Sequence, residues 1–318
     1  MTFTEDLKEV LEQKKKITEG SITVYLRNLR KLAGKELENF DFLKDPETVV
    51  KQLSVYKDTT KRNYLISIVS VLSCFPEFKE LHDKYYDLMI NSKKVVEEEL
   101  AKGEKSESQE KNWISWEQVL EEYKNLENKI LIFAKKKNIS DEEYTEILGY
   151  ALLSLYVLQE VRRNKDYTSM LVVEHYEPEL DPNFNYFDLS KKKFIFNQYK
   201  TSKKYGRQDQ KISPELFSAL KKYLKFRTSK LELDDTDGKP LLIRADGKPL
   251  DKSGDITKLL NKIFGKNIGS SLLRHILITD KLGGTHKKLE ETAAKMAHSV
   301  TEQKKYILKP RGKISVAV

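Results

Sequence analysis

A histidine and a tyrosine lie eight positions apart in the stretch MAHSVTEQKKYI, as His298 and Tyr306. Histidine can donate or accept a proton near neutral pH, and a tyrosine hydroxyl can act as a nucleophile. In one unbroken helix the two side chains would point about 80° apart and lie about 12 Å from each other, too far to meet one reacting group. However, SVTE at 299–302 is a capping box, which predicts that one helix ends near His298 and that a new helix carries Tyr306. The two side chains could then converge.

Three arginines stand beside apolar helical segments upstream of this pair. Arg274 lies in SSLLRHILITD, 270–280, among leucines and isoleucines and directly before His275. A guanidinium group is costly to bury unless an anion compensates its charge, and a phosphodiester would be such an anion. Arg162 and Arg163 come just after the apolar run ALLSLYVLQEV. The arginines therefore indicate an anion-binding site.

A group of lysines falls between two β-prone runs. The runs are KKFIFNQY and QDQKI, and the segment YKTSKK between them contains Lys200, Lys203 and Lys204. Two such runs separated by turn-forming residues predict a hairpin. We therefore expect Lys200 at the tip of a β-hairpin.

The segments that must position these side chains are mainly helical. Apolar residues recur at helical spacing through the first hundred residues, and capping boxes at Ser115 and Ser140 begin two further helices. Short β-prone runs occur from Tyr186 to Ile212. We predict a mainly α fold with a small antiparallel sheet, which places the chain in the α+β class.

One polar segment divides the chain into two predicted domains. Residues 101–112 contain almost no apolar side chains, which is typical of a linker. We predict a helical N-terminal domain over 1–100 and a second domain over 113–318, which contains all the arginines and lysines considered above.

The composition favours a nucleic-acid partner and excludes several other classes. The 318 residues include 58 Lys and Arg against 49 Asp and Glu, and the net charge of +9 favours a polyanion. Cys74 is the single cysteine, so the chain has no intramolecular disulfide and no multi-cysteine metal site. The apolar runs are too short to cross a bilayer, and the sequence begins without an apolar signal core. We expect an intracellular protein without a membrane partner.

These residues follow the order of one family's site motifs. The motifs are Arg163 with Asp166, Lys200 in a hairpin, LRH at 273–275, MAHS at 296–299 and Tyr306. In this order they resemble those of the tyrosine recombinases, the phage-type integrases, over roughly the last 170 residues. The helical N-terminal domain, with its segment TKRNYL, resembles the core-binding domain of that family. The resemblance implies a core-binding domain followed by a tyrosine-recombinase catalytic domain.

The resemblance also implies DNA strand transfer without ATP, metal or any other cofactor. Tyr306 would attack the scissile phosphate and form a 3′-phosphotyrosine, which preserves the energy of the phosphodiester bond. Arg163 and Arg274 would hold the non-bridging oxygens. Lys200 would protonate the leaving 5′-oxygen, and His298 would donate a hydrogen bond to the phosphate.

The sequence departs from the family pattern around its second arginine and its late histidine. Ser271 stands where the family usually has a histidine three residues before that arginine, and His275 could partly replace it. Ala297 stands where a glycine usually precedes the late histidine. The spacing from His298 to Tyr306 is one residue shorter than the commonest pattern.

Several alternatives remain open from the sequence. Arg162 is an alternative to Arg163, and Lys203 and Lys204 are alternatives to Lys200. The leading hypothesis is a site-specific recombinase that binds double-stranded DNA, monomeric when free and a homotetramer on paired sites. A type IB topoisomerase shares the tyrosine chemistry, and a DNA-binding relative with weakened catalysis would keep only the fold.

Overall fold

The computed structural model of the chain describes residues 2–14, 17–168, 170–231, 237–297 and 300. The chain divides into two compact units, Met1–Lys105 and Ser106–Val318, and the boundary lies inside the segment predicted to be a linker. His298 and Tyr306 lie outside the described residues, as does the helix predicted to follow SVTE. What the sequence predicts for these two side chains therefore stays a prediction.

The first unit is built from helices. They are α1 (Phe3–Lys14), α2 (Glu19–Ala33), α3 (Pro46–Leu53), α4 (Asp58–Leu72) and α5 (Lys79–Ala101). Thr18 caps the start of α2, where its side chain accepts a hydrogen bond from the Ser21 backbone N–H, and Gly34, with a φ of 71°, caps its end. The apolar faces meet in a core in which Leu29 and Ile68 have no exposed surface. The helical character predicted for the first hundred residues is confirmed.

The second unit contains further helices and a small sheet. The helices are α6 (Glu107–Asn112), α7 (Trp116–Phe133), α8 (Asp141–Val157), α9 (Asn164–Tyr167), α10 (Ser202–Tyr205), α11 (Pro214–Lys230), α12 (Ser253–Phe264) and α13 (Ser270–Lys295). The capping boxes at Ser115 and Ser140 begin α7 and α8 as predicted. A third capping box, Ser106 with Gln109, begins α6 within the polar segment 101–112.

The sheet is mixed, which corrects the predicted antiparallel sheet. Its strands are β1 (Leu171–Val173), β2 (Tyr186–Asp188), β3 (Lys193–Phe196) and β4 (Gln208–Lys211), in that order. The pairs β2–β3 and β3–β4 are antiparallel, but β1 pairs with β2 in parallel. A parallel pair requires a crossover connection, here residues 174–185. The three residues of β1 are too few to show the alternating pattern that reveals a strand.

Helix α8 forms the centre of the second unit. All of its residues from Ile147 to Tyr156 are buried, and α7 and α11 pack against it. A helix that is apolar on all sides is stable only when other elements surround it. Because α8 ends at Val157, this core fixes the backbone that leads to Arg162 and Arg163. Within the described part of the chain, no helix combines the length and apolar character needed to cross a membrane.

Helix α13 is continuous over 26 residues. It joins the apolar helical segment 270–280 to the predicted helix that ends near His298, through Gly283 and Gly284. From Lys281 to Lys295 only Ala293 is buried, so the second half of the helix is mostly exposed. The helix ends close to the predicted position.

Candidate functional site

Three segments of the second unit meet around an open cleft of about 330 Å³. They are the loop after α8, the β3–β4 connection and the first turns of α13. We call this space the arginine cleft; its lining residues are Val161, Arg162, Arg163, Asp166, Tyr199, Thr201, Tyr205, Gln208 and Arg274. The structure thus brings together the arginines that the sequence analysis singled out from segments more than a hundred residues apart.

Arg162 is held by protein partners on all three of its nitrogens. Its Nε donates to Asp166 Oδ2 at 2.9 Å, and its Nη1 and Nη2 each lie 3.2 Å from Gln208 Oε1. Its guanidinium carbon lies 3.8 Å from the centroid of the Phe196 ring, which is the geometry of a cation–π contact. A ligand could bind Arg162 fully only by displacing these contacts.

The Arg163 side chain has none of the hydrogen bonds and aromatic contacts that hold Arg162. It is exposed, and its side chain makes no hydrogen bond or ion pair with any residue that the structure describes. Its backbone carbonyl accepts a hydrogen bond from the Asp166 N–H at 2.9 Å, which fixes the turn that begins α9. The guanidinium group of Arg163 is therefore free to bind an anion in the arginine cleft.

Arg274 is partly buried in the first turns of α13. Its Nη1 donates to the backbone carbonyl of Arg162 at 3.2 Å, and among the described residues no carboxylate forms an ion pair with it. Burial lowers the pKa of Arg274, and the nearby positive charge of Arg163 lowers this pKa further. Two guanidinium groups that repel each other in one cleft would both gain from an anion between them.

Asp166 balances only part of this positive charge. Its side chain is 4% exposed, and its Oδ1 has no hydrogen-bond partner among the described residues. Burial raises the pKa of Asp166, and the charge of Arg162 acts in the opposite direction. With three arginines and one aspartate in the lining, the cleft keeps two positive charges in excess.

The predicted lysines lie in the β3–β4 connection. Lys200 is exposed between Tyr199 and Thr201, which both line the cleft, and it makes no hydrogen bond or ion pair within the described structure. The short helix α10 contains Lys203 and Lys204, and the Lys204 amine lies 5.1 Å from the Tyr205 ring centroid. The hairpin predicted around Lys200 is confirmed. Its tip also contains a helical turn, which the turn-forming residues of the segment do not indicate.

The connection is braced by the tyrosine that precedes Lys200. The Tyr199 hydroxyl donates to the Gly206 carbonyl at 2.7 Å across the loop, and the Tyr199 side chain is buried. Gly206 has a φ of 69°, which a side chain would disfavour. This contact limits the positions that Lys200 can take relative to the cleft.

Two further predicted positions lie on the surface of α13. Ser271 and His275 are both exposed, and neither lines the arginine cleft. Because successive helical residues point about 100° apart, His275 is directed away from the side on which Arg274 points. The structure brings Arg163 and Arg274 into one cleft, with Lys200 beside it, and leaves His275 outside.

The last described residues before His298 have an unusual backbone. Helix α13 ends at Lys295, and Ala297 has a φ of 51°. Left-handed backbone of this kind is costly for any residue with a Cβ atom, and helix ends commonly use glycine there. The glycine that the resembled family has at this position is consistent with that requirement.

Sequence reasoning missed the residues that hold Arg162. Phe196 and Gln208 face each other across the β3–β4 ladder and both contact this arginine. Their alignment depends on the strand register, which the hydrophobic pattern of so short a hairpin leaves undefined. The sequence signal that could have indicated them is an aromatic residue at the end of one predicted strand and a glutamine at the start of the next.

Comparison with models of known protein families finds no match to this chain, and comparison with curated proteins finds none either. Within the described residues, no group of three or more His, Cys, Asp or Glu side chains could hold a metal ion.

Proposed function

We propose that the chain is a site-specific DNA recombinase or integrase of the tyrosine recombinase type. The observation that carries the proposal is the contrast between neighbouring arginines in the cleft. Arg162 engages the buried carboxylate of Asp166, so Arg163 and Arg274 keep no carboxylate partner among the described residues. Two unpaired guanidinium groups directed at one open space suit the non-bridging oxygens of a phosphodiester.

The proposed chemistry uses these arginines as an electrostatic clamp. Arg163 and Arg274 hold the scissile phosphate and offset the negative charge that develops on its oxygens in the transition state. The carbonyl of Arg162 orients Arg274 through the 3.2 Å hydrogen bond. In this scheme Arg162 positions the clamp, and it does not itself bind the phosphate.

The remaining groups of the proposal come from the resemblance. Tyr306 loses its phenolic proton to solvent as its oxygen attacks phosphorus and becomes the 3′-phosphotyrosine, while the bond to the 5′-oxygen breaks. Lys200 donates a proton to that oxygen, so that a hydroxyl and not an alkoxide departs. His298 donates a hydrogen bond to the phosphate. The reverse attack by a 5′-hydroxyl of another strand completes the transfer without ATP or metal.

The first unit carries positive charge suited to the DNA backbone. Arg27, Arg30, Lys31 and Lys35 line one surface depression at the end of α2. Arg30 pairs with Glu36 at 3.1 Å and Lys35 with Glu38 at 2.8 Å, whereas Arg27 and Lys31 have no ion pair within the described part of the chain. We propose double-stranded DNA as the partner, bound by a monomer that assembles into a homotetramer on paired sites.

The exposed serine at position 271 favours a second candidate function. No imidazole is present where the family's usual histidine would stand, so a DNA-binding protein with weakened catalysis is the alternative. A type IB topoisomerase, which reseals the same strand, is a further alternative that the experiment below separates.

A suicide substrate tests the proposal directly. Duplexes with a randomised sequence around a 5′-bridging phosphorothiolate accumulate a covalent intermediate, because the released 5′-thiol reseals poorly. We expect a protein–DNA adduct whose linkage maps by mass spectrometry to Tyr306. DNA binding without any covalent adduct would favour the DNA-binding protein with weakened catalysis. Exchange of label between two oxygen-linked duplexes would exclude the topoisomerase, and resealing without exchange would select it.

A further inference from the structure

A second depression lies in the same unit, between α7 and α11. It has a volume of about 340 Å³, and we call it the α7–α11 groove. Its apolar lining includes Ile130, Leu131 and Phe226, with Ile139 at one end. The Leu131 side chain is 54% exposed, although it lies next to a well-packed core. An apolar surface left open in this way is typical of a site that a partner covers.

Lysines surround this apolar floor. Lys137, Lys222 and Lys225 line the groove, are exposed, and make no hydrogen bond or ion pair with any described residue. A fourth lysine, Lys136, is already paired with Glu143. The groove therefore presents three positive charges that no described residue compensates, around an apolar surface, a combination that neither a neutral peptide nor a basic one would match.

The groove and the arginine cleft lie at opposite ends of α8. Ile139 precedes the first residue of that helix by two positions, whereas Val161, at the edge of the cleft, follows its last residue by four. A helix of 17 residues is about 25 Å long. An occupant of the groove would therefore leave the arginine cleft open.

We propose that the α7–α11 groove binds an acidic amphipathic helix of a partner protein. Aliphatic side chains at positions i, i+4 and i+7 of that helix enter the apolar floor, and its glutamates or aspartates pair with the three lysines. Duplex DNA fits less well, because its contact surface is polar and charged and would leave the exposed Leu131 without an apolar partner. The proposal is independent of the function proposed for the arginine cleft.

Charge also argues against two occupants from this chain itself. The sequence from 301 to 318 contains one acidic residue, Glu302, against five basic ones, which are Lys304, Lys305, Lys309, Arg311 and Lys313. The three lysines of the groove would repel such a segment. A second copy of the chain carries the same net charge of +9, which opposes self-association at low salt.

A display library supplies the probe for this proposal. Its 16-residue peptides have aliphatic residues at i, i+4, i+7 and i+11, and either Glu or Lys with equal frequency at the remaining positions. Selection on the full chain at physiological salt should enrich glutamate-rich members. Enrichment of lysine-rich members, or no enrichment at all, would overturn the proposal.

Matched surface variants then locate the binding of an enriched peptide by fluorescence anisotropy. Leu131→Asp and Lys222→Glu lie in the groove, whereas the exposed neighbours Ile132→Asp and Lys221→Glu change the same residue types outside its lining. Each groove variant should raise the Kd about tenfold, and each neighbouring variant should change it less than about twofold. If a groove variant and its neighbouring variant raised the Kd equally, in either pair, the proposal would be overturned. Duplex DNA affinity should stay the same in Leu131→Asp, and a loss there would assign the groove to DNA instead.

Discussion

Arg162 donates from Nε to Asp166 Oδ2 at 2.9 Å, so the buried carboxylate of the arginine cleft is bound by the first of two consecutive arginines and not by the second. The adjacent residues Arg162 and Arg163 therefore have different roles. Arg162 joins the loop after α8 to the β3–β4 hairpin, and the Arg163 side chain has no hydrogen-bond or ion-pair partner among the residues that the structure describes.

This division of tasks predicts opposite results for two alanine variants. Arg162→Ala leaves the Asp166 carboxylate buried and unpaired, so it should lower the free energy of unfolding by about 3 kcal/mol. Arg163→Ala removes no described contact, so its unfolding should match that of the unchanged chain while covalent DNA adducts fall about 100-fold or more. Urea unfolding and the suicide-substrate assay measure the two effects. If Arg163→Ala were the destabilised variant, the roles assigned to the two arginines would be reversed.

Tyr306→Phe should abolish covalent adducts and leave DNA affinity nearly unchanged, because it removes only the nucleophilic oxygen. The comparison variant is Tyr205→Phe, since Tyr205 lines the arginine cleft and is 60% exposed. Gel analysis of adducts and a filter-binding assay measure the two properties. Loss of adducts in Tyr205→Phe, with adducts retained in Tyr306→Phe, would move the nucleophile to the hairpin.

Lys200→Ala should slow cleavage of an oxygen-linked substrate and have little effect on a 5′-thiol substrate, because a thiolate leaves without protonation. Lys203→Ala in α10 is the matched control, since both lysines are exposed in the same connection. The ratio of the two cleavage rates separates proton donation from DNA binding. If the 5′-thiol substrate restored the cleavage rate only in Lys203→Ala, the general acid would be Lys203.

Ala297→Gly should stabilise the end of α13 by about 0.5–1 kcal/mol, because glycine adopts a positive φ without strain at some cost in chain entropy. Ala294→Gly, at an exposed position inside the same helix, should instead weaken the helix by about 1 kcal/mol. Hydrogen exchange of the amides of Lys295 and Met296 reports both changes. Faster exchange in both variants would contradict the left-handed backbone at Ala297.

Replacing Gly283 and Gly284 together by alanine should strengthen the middle of α13 by about 1–2 kcal/mol. An added Cβ meets nothing within 4 Å at Gly284 and only Thr279 Cγ2, at 3.7 Å, at Gly283. Circular dichroism and hydrogen exchange across the helix provide the measurement. Unchanged protection from hydrogen exchange at these positions would mean that the two glycines do not limit the stability of α13.

Local patterns predicted much of this fold, because their signals lie within a few residues. The capping boxes of α7 and α8 and the β3–β4 hairpin follow from short-range chemistry. The parallel pairing of β1 with β2 depends on a crossover and has no such local signal.

The candidate site was predictable only in part, for a related reason. Residue types and their order indicated Arg163 and Arg274, but they left the choice between Arg162 and Arg163 open. That choice depends on Asp166, which follows both arginines closely in sequence, and on Gln208, which is 46 positions from Arg162. A contact over such a distance exists only once the hairpin has its register.

The unbroken helix α13 also sets a limit on reach. Arg274 and Lys295 are 21 positions apart in a helix, which separates them by about 30 Å. Eleven residues, 296–306, span about 36–40 Å when fully extended, and far less if the capping box at 299–302 starts a helix. With α13 straight, the chain must therefore run back along most of this helix before Tyr306 can meet a phosphate held by Arg274 of the same chain. A bend at Gly283 and Gly284 would shorten this path, and a tyrosine supplied by another subunit would avoid it. The double alanine variant would suppress the first route while sparing the second.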